Sequence, residues 1–113
     1  MLFRSTASSP TNDVSVIAPT AAISSLPYTP AESLAALKFY YYVLGDKLWK
    51  QYGFVDAFSL HNNWYADSFL AIDQGPEVVM IENYRTGLLW SLFTSCPEVK
   101  AGMLSLGFTA PYL

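Results

Sequence analysis

Residues 72–90 read IDQGPEVVMIENYRTGLLW. Apolar side chains fall on nearly every side of a helix through this stretch, and after Glu77 the only charges before Cys96 are Glu82 and Arg85. A helix apolar all round is expected to be buried. Ionisable groups on it must then be paired, hydrogen-bonded or lining a cavity, because an isolated buried charge is costly. Asp73 is the expected N-cap, Pro76 falls in the first turn, and close packing is expected to tolerate Gly87 in the interior. Buried polar groups on such a scaffold mark the place to look for a site.

Working outward, Thr29 is a capping residue, Pro30 suits the first helical position and Glu32 completes a capping box. Leu34, Leu37, Tyr41, Leu44 and Leu48 follow at 3-4-3-4 spacing, one face of a helix running to about Tyr52, bent at Gly45 and stopped by Gly53. Upstream, Pro19 and Pro27 act as breakers, with a helical turn or two between Ala21 and Ser25. Residues 53–71, GFVDAFSLHNNWYADSFLA, show no helical period and read as a long irregular loop, a length that is usually functional. Downstream, Ser95 or Cys96 caps a third helix that begins at Pro97 and ends at Gly107. The fold class is therefore all-α with a long irregular loop. Residues 1–12 read as a disordered or out-of-context leader, and residues 13–113 as one unit.

Composition narrows the function. Hydrophobic residues make up 52% of 113 and charged residues 13%, well below the charged share of ordinary soluble domains. A small domain needs proportionally more polar surface, not less. The chain therefore reads as a piece of a larger protein whose remaining part covers apolar surface. Net charge is −3 with six scattered Lys and Arg, which argues against nucleic acid as a partner. Residues 14–31 are uncharged but too rich in Pro, Ser and Thr for a membrane span. One His and one Cys build no metal cluster and no internal disulfide. No cofactor motif is present; the acidic residues alone could hold a hard cation.

A serine triad would need His61, and no nucleophile signature surrounds any serine. Cys96 at a helix start reads as a capping thiol rather than a reactive one. The acidic set is richer. Asp56, Asp67 and Asp73 accompany Asn62, Asn63, Trp64, Gln74 and Arg85. Acids and amides bond sugar hydroxyls, an indole offers a flat apolar platform to a pyranose, and a carboxylate can activate water. The same residues have structural readings: Asp73 as a cap, Glu82 with Arg85 as an i,i+3 pair, Trp64 as core.

In order, YGFVDAF, NNW, IDQGP and MIENYRTGLLW resemble the C-terminal part of the glucoamylase-like (glycoamylase-like) domain family. That family includes bacterial endo-β-1,2-glucanases and a region of cyclic β-1,2-glucan synthases. The segment VIAPTAAISSLPYTPAESLAALKFYYYVLGDKLW is similar to the stretch just before, so the resemblance covers about residues 12–108, yet only the last quarter or so of the family's domain.

What the resemblance implies is part of an (α/α)6 toroid whose inner helices point their loop ends into a glucan cleft. It implies an inverting glycoside hydrolase, whose acid and base stand roughly 6.5–9.5 Å apart. Asp73 is then the expected base or sugar-hydroxyl ligand, with Asp56 the second catalytic candidate. Asn63, Trp64, Asp67 and Gln74 are expected to line the sugar cleft. Glu82, Asn83 and Arg85 are expected to hold the helix and the carboxylates in place. A glucan or oligosaccharide is the expected ligand and the missing N-terminal part of the domain an expected partner. The chain by itself is expected to be inactive, and the full-length parent periplasmic or secreted. The alternative is a non-catalytic helical carbohydrate-binding or protein-interaction module.

Overall fold

Pro19 opens the first helix instead of breaking the chain, because proline's missing N–H costs nothing at a first helical position. The computed structural model describes residue 11, residues 13–111 and residue 113; apart from Thr11, the expected leader at residues 1–12 lies outside the described residues or is too short to judge. Helix α1 spans Pro19–Ser24 and α2 spans Pro30–Lys38. Phe39–Val43 form a π-helical turn, and α3, Gly45–Leu48, follows. Two small antiparallel ribbons come next. Strand β1 (Trp49–Lys50) pairs with β2 (Gly53–Phe54), and β3 (Phe58–Ser59) pairs with β4 (Trp64–Tyr65). The chain then returns to helix: α4 is Ala71–Thr86, α5 is Leu88–Thr94 and α6 is Pro97–Ser105. The architecture is mostly helical, with the ribbons as an addition to the all-α expectation.

The core sits where the sequence suggested a loop. Ile23, Tyr40, Leu48, Phe54, Val55 and Phe58 form one buried cluster. Ile17 is tied to Phe58 by two backbone hydrogen bonds of 2.9 Å. Tyr40 meets Phe54 and Phe58 edge-on, at 6.2 and 5.6 Å between ring centroids. Each of these large side chains contributes about 1.5–3 kcal/mol by leaving water. Residues 53–59 therefore form the floor of the molecule rather than an irregular excursion.

The π turn corrects the expected register. Leu44 N–H donates to Phe39 C=O, five residues back, at 3.3 Å. One extra residue in a turn rotates the following side chains by about 100°. Upstream of the turn the inward face already differs from the expected one: Ser33 and Tyr40 are buried, at 3% and 7% exposure, while Leu34 and Tyr41, expected inside, are 37% and 46% exposed. The helical run also ends at Leu48, not Tyr52: the chain turns at Gln51–Tyr52, and Gly53 takes φ 97°, a conformation for which glycine has no steric cost.

Residues 72–90 do not make one helix. Gly87 adopts φ 70°, donates to Asn83 C=O at 2.9 Å and ends α4; only glycine takes that left-handed conformation freely. Leu70, not Asp73, is the N-cap, and Pro76 lies inside the helix beyond its first turn. Expected burial is overturned as well. Ile72 is 79% exposed and Val78 67%, whereas Glu77 and Asn83 are the two buried residues, at 8% and 4%. Helix α4 packs mainly on α1, so a sequence apolar all round has most of its surface open. Helix α6 starts at Pro97 after N-cap Cys96 as expected. Gly107, at φ 78°, closes it, with Phe108 N–H on Met103 C=O at 3.0 Å.

Candidate functional site

Gln74 fixes the start of α4. Its Nε2 donates to Phe54 C=O at 2.7 Å, so the helix is anchored to a core strand. Its Oε1 stands where a Cβ on Gly53 would come within 3.1 Å. Space and φ together demand glycine there. Gln74 thus spends its amide on the scaffold rather than offering it whole to a ligand. Asp73, the preceding residue, is half-buried and its carboxylate has no hydrogen bond among the described residues. It is a rigidly mounted and available carboxylate.

Asp56 occupies a different layer. It is buried in the turn between β2 and β3, its Oδ1 shut off from solvent, and its N–H donates to Ser68 C=O at 2.9 Å. Asn63 and Asp67 come together on the outside, in an open cavity of about 700 Å³ shared with Asp46, Lys47, Lys50 and Tyr65. Asn63 holds a left-handed φ of 46° at the tip of the β3–β4 ribbon, a conformation asparagine tolerates better than most residues. Trp64 follows it on β4, half-buried. Asn62 Nδ2 donates to Ser59 Oγ at 2.9 Å, bracing the same turn.

The remaining candidates lie further along α4. At 1.5 Å per residue, Glu82 is about 13 Å along the axis from Asp73. Glu82 pairs with Arg85 at 3.0 Å and accepts from Thr86 Oγ1 at 2.7 Å. Asn83 Oδ1 accepts from Trp90 N–H at 3.1 Å. Trp90 is the third residue of α5, whose N-cap, Gly87, has no side chain to offer. Asn83 therefore caps α5 from the helix before it. The predicted residues thus form three groups: Asn63 and Asp67 in the cavity, Asp73 and Gln74 at the start of α4, and a brace at its end, with Asp56 beneath.

Two features escaped the sequence reading. Lys47 lies over the Tyr65 ring, 4.8 Å from its centroid, with Nζ donating to the Tyr65 hydroxyl at 3.4 Å; only the fold brings these residues, 18 apart, together. Glu77 is buried, and burial raises its carboxyl above the ordinary carboxylate range. Its signal was present in the sequence, as the charge one turn after Asp73. Cys96 Sγ donates to Glu98 Oε2 at 3.0 Å, and that bond, with the Glu98 backbone N–H, lowers the Glu98 carboxyl. Among the described residues no group of three or more His, Cys, Asp or Glu could hold a metal ion, and no helix is long and apolar enough to cross a membrane.

Known proteins resemble this chain in sequence and fold. An endo-β-1,2-glucanase from Chitinophaga pinensis, solved with sophorotriose and glucose, is 57% identical with a TM-score of 0.86 over 93% of this chain and 25% of its own. A β-1,2-glucanase structure from Parabacteroides distasonis is 50% identical with a TM-score of 0.82, over 85% of this chain and 14% of its own. An exo β-1,2-glucooligosaccharide sophorohydrolase of the same species is 51% identical over 94 residues, 83% of this chain and 13% of that protein. The chain thus spans an eighth to a quarter of these relatives' length. The Glycoamylase family model, described as "Putative glucoamylase", matches residues 2–97. With that match covering most of its 113 residues, the chain belongs to the Glycoamylase family.

Proposed function

We propose that this chain forms one wall of the sugar cleft in a glycoside hydrolase acting on β-1,2-linked glucan, with Asp73 as the carboxylate that meets the sugar or its attacking water. The observation that carries this reading is the mounting of Asp73. It is the available carboxylate at the start of α4, held in place because the next residue, Gln74, is bonded to the core at Phe54. Similarity to β-1,2-glucan-active relatives supports the substrate class. Residues 13–113 are read as one part of a domain of (α/α)6 form, with α4 an inner helix. The open apolar face of α4 and α5, including Val78 and Leu92, is the side on which further helices of that domain would pack.

In this reading Asn63, Trp64 and Asp67 contact sugar from the β3–β4 ribbon, Asp56 stiffens the floor, and Glu82, Asn83 and Arg85 hold the far end of α4. An inverting reaction needs a second carboxyl roughly 6.5–9.5 Å from the first. We assign that general acid to the part of the domain beyond these 113 residues, so the chain alone should not turn over glucan. The test is Asp73→Asn in a polypeptide carrying the whole domain, assayed by reducing-sugar release from β-1,2-glucan. Loss of at least about a hundredfold in kcat is expected for a general base. Unchanged turnover removes Asp73 from that role, and reducing sugar released by the purified 113-residue chain removes the division of labour.

A further inference from the structure

We propose that Trp49, Tyr41 and Tyr42 form an aromatic subsite of the same cleft, in which ring faces stack against one glucose unit of the glucan while the Asp46 carboxylate accepts from its hydroxyls. The proposal rests on the β-1,2-glucan reading given above. It starts from the tyrosine run at residues 40–42, which the fold divides: Tyr40 enters the core, whereas Tyr41 and Tyr42 stay outside. With Trp49, Val43, Gly45 and Asp46 they line an open cavity of about 370 Å³, within the range of about 300–1,000 Å³ for small-molecule sites.

The rings are held in a row. Trp49 stands opposite Phe54 across the β1–β2 ribbon and meets it edge-on, at 4.8 Å between centroids. Tyr41 meets Trp49 edge-on at 5.5 Å, and Tyr42 meets Tyr41 at 5.3 Å. Phe54 is fully buried, so the row is rooted in the core and runs out to solvent. Successive rings are nearly perpendicular, at 74–87°, and so form walls at right angles rather than one flat sheet. Tyr and Trp rings present apolar faces at little entropic cost.

Two observations connect this cavity to the site. Asp46 also lines the cavity of about 700 Å³ that holds Asn63 and Asp67, so the two openings meet at one carboxylate. That carboxylate is exposed and makes no hydrogen bond or ion pair among the described residues; Lys50 Nζ donates instead to the Asp46 C=O. On the other side, a Cβ on Gly53 would meet Gln74 Oε1 at 3.1 Å and Trp49 Cζ3 at 3.9 Å. The indole therefore borders the start of α4, where Asp73 is mounted. A helix packed over this cavity would strand the Asp46 charge under apolar side chains, which is costly. A sugar offers C–H faces to the rings and O–H donors to the carboxylate, and so satisfies both.

The test is a titration of sophorotriose, a β-1,2-linked trisaccharide, into the 15N-labelled 113-residue chain, read at the indole N–H signals of its three tryptophans. Trp49→Phe and Trp90→Phe assign them. The Trp49 signal should move saturably, and the Trp90 signal, beyond the far end of α4, should not. Trp49→Ala should weaken binding about tenfold, while Trp49→Tyr, which keeps a ring, should stay within about twofold of the parent. Tyr42 is 79% exposed, so Tyr42→Ala leaves the fold intact and should still weaken binding, by about threefold. A Trp49 signal that stays still, or parental affinity in either alanine variant, overturns the proposal. If Trp64 moves while Trp49 does not, the aromatic subsite falls and the cleft at the β3–β4 ribbon stands. If Trp49 moves with β-1,4-linked cellotriose and not with sophorotriose, the rings stack glucose but the β-1,2 reading falls.

Discussion

Asn83→Ala should unfasten α5 from α4. Asn83 is 4% exposed, and its Oδ1 is the side-chain acceptor on Trp90 N–H, at 3.1 Å. Loss of an N-cap acceptor costs about 1 kcal/mol, and the small void left by a buried amide adds roughly another. At ~2.1 cal/mol/K of unfolding entropy per residue, a chain of 113 residues loses about 4 °C of Tm for each kcal/mol. Asn83→Ala should therefore lower Tm by about 8 °C. Asn83→Asp keeps an acceptor oxygen at a helix N-terminus, where negative charge is favoured, and should recover about half of the loss. Thermal unfolding followed by circular dichroism gives the total, and hydrogen exchange at the Trp90 amide locates it. The cap predicts roughly five- to thirty-fold faster exchange there, the equivalent of 1–2 kcal/mol. A Tm within one or two degrees of the parent (about 0.5 kcal/mol or less), or an unaltered Trp90 amide, would refute the argument that Asn83 holds the junction.

Glu77→Gln should stabilise the chain at pH 8 and leave it unchanged near pH 4. The folded-state carboxyl is raised from its ordinary 4.5 by burial, so its contribution is complete below 4.5 and is lost as pH rises through the folded value; urea unfolding at the two pH values reads the sign. Leu48→Ala, at a fully buried core position, should cost about 2–5 kcal/mol. Leu92→Ser, on the open face at 59% exposure, should change stability by less than about 0.5 kcal/mol while reducing self-association in sedimentation velocity. Gly87→Ala forces a side chain into a left-handed φ of 70° and should cost about 1–2 kcal/mol, measurable by the same urea titration.

Legibility followed locality. Pro30, Pro97 and Gly107 announce helix limits through their own backbone chemistry, and the structure places those limits within a residue or so of the expected ones. Gly87 carries the same chemistry, but its apolar flanks argued for continuity, and the sequence reading followed the flanks. Phe54, Val55, Ala57 and Phe58 are buried almost consecutively, across two strands of two residues and the link between them, too short to show a period. Their burial depends on Ile17, Ile23 and Tyr40, partners far away in the chain. Ser33 and Tyr40 face inward where Leu34 and Tyr41 were expected, a one-residue offset that the apolar spacing alone did not reveal. At the site, Asp73, Gln74 and Asn83 were recognisable as polar residues in an unusual setting. That Gln74 and Asn83 serve the backbone, and that Glu77 is the buried acid, became visible only with the helix seated on its neighbours.

The uneven depth of the molecule carries a consequence for how it assembles. Seven of the eight buried hydrophobic side chains from Ile23 to Phe58 belong to the core floor or its rim, and α6 contributes no buried residue. During synthesis the stretch through Tyr65 can settle into its ribbons before α4 has left the ribosome. Gln74 then finds Phe54 already in place, and α4 grows from a docked end toward a free one. Helices α5 and α6 emerge after α4, and α6 buries none of its residues against the described part of the fold. Within these residues, structure therefore grows outward from the buried floor, and the amides of α6 are expected to be the least protected from exchange.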